Sequence, residues 1–149
     1  MPLFFAYGIS TDPERMQAEM GGYKSYQAAV LPDHACTFTY NPEYNGGATT
    51  LIPSDGDEAL GVVYEIEENQ LALFEEVDEE YALHQMQVKA GGELLTAYVL
   101  LPREEETLTL PAPDYLERVR KGLLVHHSVD EVEAYLQAGI ERVNKSDRH

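Results

Sequence analysis

Two short stretches carry residue types that could do chemistry. The first is Tyr7-Gly8-Ile9-Ser10, a glycine turn between an aromatic apolar run and a helix start. Glycine permits a tight turn, and backbone N–H groups ahead of a helix N-terminus suit a carboxylate or phosphate. The same pattern also describes an ordinary strand-to-helix turn, the commoner meaning on spacing alone. The second is Glu75, one of eight acids between Glu65 and Glu80. Most of that run must be a solvated face. Glu75 directly follows Phe74, which is expected to pack inward with Leu71, so it can sit at the rim of the buried side. A carboxyl half-buried among other carboxylates has its pKa raised by desolvation and like-charge repulsion, the condition for a general acid/base. Taken alone, a surface position is again the commoner meaning.

Other reactive residue types lead less far. His126 and His127 are adjacent, so on a helix they cannot face the same metal, and a helix-end or surface role is expected. His34 and Cys36 lie two apart on an expected strand and share a face. Without two further ligands they make no zinc site, and Cys36 reads as a small core residue. No Ser/His/Asp arrangement, phosphate-binding loop or dinucleotide fingerprint is present.

These residues must be positioned by the elements around them. Leu3–Tyr7 reads as a buried strand ended by Gly8. Thr11 and Glu14 have capping-box spacing and Pro13 sits in the first turn, so a helix is expected to about Met20, closed by Gly21-Gly22. Strands are expected at Tyr26–Leu31 and Ala35–Tyr40, separated by a turn at Pro32-Asp33. Asn45-Gly46-Gly47 reads as a turn or bulge before a strand at Ala48–Ile52. Pro53 to Asp57 reads as a turn before a strand at Leu60–Tyr64. A short helix over Glu67–Glu76 is followed by strands near Leu83–Lys89 and Leu94–Leu101, joined by a Gly91-Gly92 hairpin turn. Asp114 opens a helix with Leu116, Val119 and Leu123 on one face. Ser128 caps a last helix bearing Val132, Leu136, Ile140 and Val143. The expected class is α+β, a small mixed, curled or barrel-like sheet with inserted and appended helices. One domain is expected over residues 1–143, with a polar tail at 144–149.

Charge narrows the partners. The 149 residues hold 10 Lys and Arg against 27 Asp and Glu, a net charge of −17. From Ser25 to Val88 there are 13 acids and no Lys or Arg. Such a surface repels nucleic acid and anionic membranes. The excess acid is compatible with solubility, a salty habitat or a cationic partner. At 44% hydrophobic residues the chain can bury a core. Apolar runs such as Leu3–Tyr7 are too short to span a bilayer, no signal peptide is evident, and the one cysteine excludes an internal disulfide. A reducing cytoplasm is the default expectation.

Taken in order, these pieces resemble the γ-glutamylcyclotransferase family. The similarity runs through Phe5-Ala6-Tyr7-Gly8, then Asp12 to Met16, Asn45-Gly46-Gly47-Ala48 and Gly61 to Ile66. It continues with Leu71-Ala72-Leu73-Phe74-Glu75, Tyr81 six residues later, Pro111 to Leu116, and the helix of Gly122. The resemblance implies a small mixed α/β barrel and an enzyme acting on γ-glutamyl compounds. In that reaction the substrate's own α-amine attacks its γ-carbonyl, giving 5-oxoproline and a freed amino acid or amine. No cofactor or metal is implied, because the tethered nucleophile needs mainly to be held in a folded pose.

By position, the resemblance makes Glu75 the general acid/base, taking a proton from the ammonium and returning one to the leaving nitrogen. It gives the N–H groups of Gly8, Ile9 and Ser10 to the substrate, with Tyr7 and Tyr115 lining the same cavity. Backbone amides would then hold the substrate's carboxylate where cationic side chains are scarce. The chain departs from the family pattern at Ile9, where Ser or Thr is usual, and at Ala112, where serine is common. Ala72 stands where aspartate is common, and Glu76 where glycine is. These departures leave a second class open, a barrel that binds a small molecule or protein without catalysis. A third reading is related chemistry on another γ-glutamylated compound.

Overall fold

The computed structural model describes residues 1–77, 80–104 and 107–146, without the side chains of 75–77 and 146. Its first strand, β1 (Leu3–Ala6), alternates its faces: Phe5 points into the barrel, while Phe4 and Ala6 pack with Met16, Tyr64 and Ile66 on the outside. A single 3-10 turn, Ile9–Thr11, intervenes before helix α1 (Pro13–Met20). The cap of α1 is Asp12, whose Oδ1 accepts from the Glu14 N–H at 3.0 Å. Thr11, the expected cap, instead donates its hydroxyl to the Gly8 carbonyl at 2.7 Å. The tight turn draws Thr11 back toward Gly8, so the capping role passes one residue on.

The strands are longer than their sequence suggests. β2 (Ser25–Asn41) and β3 (Gly46–Glu65) form one antiparallel ribbon. The expected turns at Pro32-Asp33 and Pro53–Asp57 are instead a bulge inside that ribbon. Pro32 pairs with Glu58 and His34 with Pro53, so Asp33 stands opposite residues 54–57. Asp33 takes a positive φ of 58°, and its Oδ1 accepts from the Gly56 N–H at 3.0 Å, which stitches the bulge shut. The turn-forming residues are thus absorbed without ending either strand. Gly46 and Gly47 belong to β3, and the turn itself lies just before them.

Helix α2 (Glu68–Val77) leads to the hairpin of β4 (Tyr81–Ala90) and β5 (Glu93–Pro102). Gly91 and Gly92, both at positive φ, make the two-residue connection read from the sequence. The order β1-β3-β2-β4-β5 closes into a barrel, with β1 parallel to β5 at the seam. The α+β class and barrel-like sheet are therefore as expected. Phe5, Leu31, Leu51, Val63, Val88 and Val99 help fill the interior from all five strands.

Helices α3 (Pro113–His126) and α4 (Val129–Ser146) cover the outside of the β2–β3 ribbon. Val119, Leu123, Val132, Leu136 and Val143 form a buried stripe against Phe38 and Leu60. Burying such side chains contributes about 1.5–3 kcal/mol each. Among the described residues, no helix is long and apolar enough to cross a membrane.

Helix α3 also fixes the 3-10 turn. A Cβ at Gly122 would lie 2.1 Å from Thr11 Oγ1 and 2.8 Å from the Asp12 N, so only glycine allows this approach. At the end of α3, His126 Nε2 donates to the Thr11 carbonyl at 2.7 Å. His127 Nε2 donates to the Gly61 carbonyl at 2.9 Å. The expected helix-end role of the two histidines is thus a structural one, tying α3 to the turn and to β3.

Two predictions follow from this contact. Gly122→Ala must displace the turn or the helix, and overpacking of this kind costs about 1–3 kcal/mol; chemical denaturation should show that loss. His126 has its pKa lowered below the ordinary 6.5, first by burial, with His127 adding to the effect while the Thr11 bond and Asp12 oppose it. Its neutral form is the folded form, so its contribution is full above 6.5 and is lost as pH falls through the lower folded value. The variant His126→Gln keeps a donor for the Thr11 carbonyl but cannot titrate. Its denaturation midpoint should fall less than the wild type's as pH drops below 6.5.

Candidate active site

Tyr7, Gly8, Ile9, Ser10 and Tyr115 come together around one cavity of about 160 Å³. Sites for drug-sized ligands run to roughly 300–1,000 Å³, so this one suits a group about the size of a single amino acid. It opens where β1 ends and the 3-10 turn begins. The first turn of α3 and the start of β3 form the opposite wall.

Tyr115 stands in the first turn of α3, and its buried hydroxyl bridges to β3. It donates to Thr49 Oγ1 at 3.1 Å and accepts from the Thr49 N–H at 2.8 Å. Burial raises its pKa, outweighing the two Thr49 bonds that favour the ionised form. The Tyr44 ring lies 4.7 Å from it, and burial, with help from Glu43, pushes Tyr44 up to about 12. Tyr7 donates to the Leu100 carbonyl at 2.5 Å, tying the end of β1 to β5. Burial, then the neighbouring Tyr81 and Tyr115, raise its pKa well above the ordinary value. These phenols stay protonated near neutral pH. They are walls and hydrogen-bond partners, not bases.

The turn is held from several sides. Ser10 offers its carbonyl to the Tyr64 hydroxyl at 2.8 Å. Ile9 is 8% exposed and belongs to the apolar cluster beneath α3 and α4, with Leu60, Val119 and Leu123. Among the described residues, none accepts a hydrogen bond from the N–H of Gly8, Ile9 or Ser10. Three backbone donors at a cavity wall are available to a ligand.

Of Glu75 the structure gives only the backbone, near the end of α2; its side chain lies outside the described residues. The helix beside it is anchored by Phe74, whose ring stacks on Phe4 at 4.3 Å and 12°. Phe4 in turn lines the cavity, as does Tyr81 at the start of β4. Leu71 and Phe74 both pack inward, as their spacing suggests.

Several lining residues escape sequence reasoning. Asn41, Glu43, Tyr44 and Thr49 reach the cavity from the β2–β3 connection and its flanks. Their proximity to β1 is a product of barrel closure, and no local pattern carries it. Arg15 does not line the cavity; it pairs with Glu19 at 2.7 Å, and its charge weakly favours the ionised forms of Tyr44 and Tyr115. Its Nε is buried without a hydrogen-bond partner among the described residues. Among those residues no three His, Cys, Asp or Glu side chains gather as a metal would require.

Ala112 occupies the N-cap of α3, in extended backbone and with no side-chain cap. A serine at this position has an evident local use, as a helix cap.

Comparisons with known proteins bear on the whole arrangement. Among curated proteins, none matches the chain in sequence. The fold is similar to a solved structure described as a gamma-glutamyl cyclotransferase, with a TM-score of 0.83 and 24% identity over 92% of this chain and 86% of that one. It is similar to an uncharacterized protein from Homo sapiens, with a TM-score of 0.80 and 23% identity over 89% and 85% of the two chains. A gamma-glutamyl cyclotransferase specific to glutathione from yeast has a TM-score of 0.67 and 17% identity, over 97% and 96%. Likeness at these identities speaks for the fold. The sequence evidence is separate: residues 4–118 match the family described as gamma-glutamyl cyclotransferase, AIG2-like, and the chain belongs to that family.

Proposed function

We propose that this protein cyclises a γ-glutamyl amino acid or amine to 5-oxoproline, releasing the free amino acid or amine. The observation that carries this reading is the small cavity walled by Tyr7, Tyr115 and the unpartnered amides of Gly8, Ile9 and Ser10, in a chain of this family. Those amides receive the substrate's α-carboxylate. The backbone thereby does what a cationic side chain would otherwise do.

With the γ-glutamyl group folded in the cavity, its α-nitrogen lies against its own γ-carbonyl. The reaction forms one C–N bond and breaks another, with no water consumed. Glu75 takes a proton from the α-ammonium, the freed amine attacks, and that proton is given to the departing nitrogen. The ring nitrogen sheds a second proton as the lactam forms, and it leaves with the released amine as its ammonium. Much of the rate comes from holding nucleophile and carbonyl together. The buried phenols are unsuited to the proton transfer because their pKa values are raised. Glu43 is a carboxylate among the described lining residues, but it is exposed on the β2–β3 connection and surrounded by water.

Two departures from the family pattern are compatible with catalysis. Ile9 is buried with the core, and Ala112 is a helix cap without a hydroxyl. Neither removes the turn amides or the glutamate.

A panel of γ-glutamyl amino acids and amines, followed by 5-oxoproline release in mass spectrometry, tests the reading. At least one member should be turned over. Removing a general acid/base typically costs about 10²–10⁴-fold, so Glu75→Gln should lose that much kcat while Glu43→Gln stays near wild type. The reverse pattern would move the proton transfer to Glu43. Stabilisation by 5-oxoproline without any turnover would instead indicate a binding module.

A further inference from the structure

Around the glycine turn, the carbonyls and the N–H groups have opposite fates. Every carbonyl from Gly8 to Thr11 is engaged by the protein. The Gly8 carbonyl accepts from the Thr11 N–H at 3.1 Å and from the Thr11 hydroxyl at 2.7 Å. The Ile9 carbonyl accepts from the Asp12 N–H at 3.3 Å. The Tyr64 hydroxyl donates to the Ser10 carbonyl at 2.8 Å and reaches the Thr11 carbonyl at 3.3 Å. His126 holds that same Thr11 carbonyl at 2.7 Å. The N–H groups of Gly8, Ile9 and Ser10 have no such partner among the described residues.

This asymmetry has a geometric cause. In a trans peptide the carbonyl and the following N–H point to opposite sides of one rigid plane. A donor that holds the Gly8 carbonyl therefore also fixes the direction of the Ile9 N–H. Among the described residues, both donors to that carbonyl belong to Thr11, and the shorter bond comes from its hydroxyl. Thr11 is 0% exposed, so water does not take over the role. Helix α3 closes on the hydroxyl from behind, where a Cβ at Gly122 would lie 2.1 Å from Thr11 Oγ1. The far flank of the plane is fixed by the Ile9 side chain, buried with Val119 and Leu123. Gly8 adds no restraint of its own, because a residue without Cβ tolerates either orientation of the peptide that follows it.

We propose that Thr11 is a positioning residue whose hydroxyl locks the Gly8–Ile9 peptide plane so that the Ile9 N–H faces the cavity. This rests on the cyclising reaction proposed above, in which the turn amides receive the substrate's α-carboxylate. Thr11 itself does not touch substrate. With the hydroxyl removed, only the longer Thr11 N–H bond holds the plane. Rotation of the plane would then aim the Gly8 carbonyl oxygen at an anion, replacing attraction with repulsion. The α-carboxylate is unchanged by the reaction, so it is held alike in the ground and transition states. Loss of the lock therefore appears in KM and leaves kcat near the wild-type value.

The test compares Thr11→Val, which keeps the shape and loses the hydroxyl, with Thr11→Ser, which keeps the hydroxyl and loses the methyl. KM and kcat are measured with the γ-glutamyl compound that the wild type turns over fastest. Residual dipolar couplings of the ¹⁵N-labelled proteins, without substrate, read the direction of the Ile9 N–H. Thr11→Val should raise KM about tenfold or more with kcat retained. Its Ile9 coupling should change while those of the barrel strands do not. Thr11→Ser should match the wild type in both respects. Thr11→Ala carries the same expectation as the valine variant and replaces it if that protein does not fold. An unchanged KM or Ile9 coupling without the hydroxyl, or equal effects of valine and serine, overturns the proposal. Failure of the wild type to turn over any γ-glutamyl compound would count against the cyclising reaction. The couplings would then still decide the role of Thr11: a change confined to proteins without the hydroxyl supports it, and no change overturns it.

Discussion

The site depends on how closely α3 approaches the end of β1. Gly122 lets the Thr11 side chain and the Asp12 amide lie where a Cβ would otherwise be. That contact presses the 3-10 turn against α3, and the His126 bond to the Thr11 carbonyl holds it there. The same helix carries Tyr115 at its other end, hydrogen-bonded to Thr49 on β3. One rigid element therefore sets both walls of the cavity. Preorganisation of this kind is what a reaction limited by substrate pose requires.

The charge distribution then acquires an internal logic. The stretch from Ser25 to Val88 has no Lys or Arg, and its Asn41, Glu43, Tyr44, Ala48, Thr49 and Tyr81 line part of the cavity. In the proposed reaction, recognition there falls to backbone amides. Acid dominates the surface as a whole. The remaining acid excess has no structural role that these contacts reveal.

Much of this was legible in the sequence because the signals were local. The glycine turn after an aromatic strand, the Gly91-Gly92 hairpin and the apolar stripes of α3 and α4 each follow from neighbouring residues alone. The ribbon of β2 and β3 departs from its local signals for the same reason. Pro32, Asp33 and Gly56 are turn residues by type, but pairing across the ribbon turns them into a bulge. Thr11 has the spacing of a cap and lost that role to Asp12 through a tertiary contact. Thr49, Tyr44 and Asn41 reach the cavity only when the barrel closes. Tyr7, Gly8, Ile9, Ser10 and Tyr115 were gathered by resemblance and are neighbours in space. For Glu75, only the position on α2 is fixed.

The central claim is that the turn amides receive the carboxylate end of the γ-glutamyl group. Titrating the ¹⁵N-labelled protein with 5-oxoproline, the ring this reaction leaves behind, tests it most directly. The amide signals of Gly8, Ile9 and Ser10 should shift most, in a saturable way. Saturable shifts confined to residues away from this turn, or none at all, would contradict it.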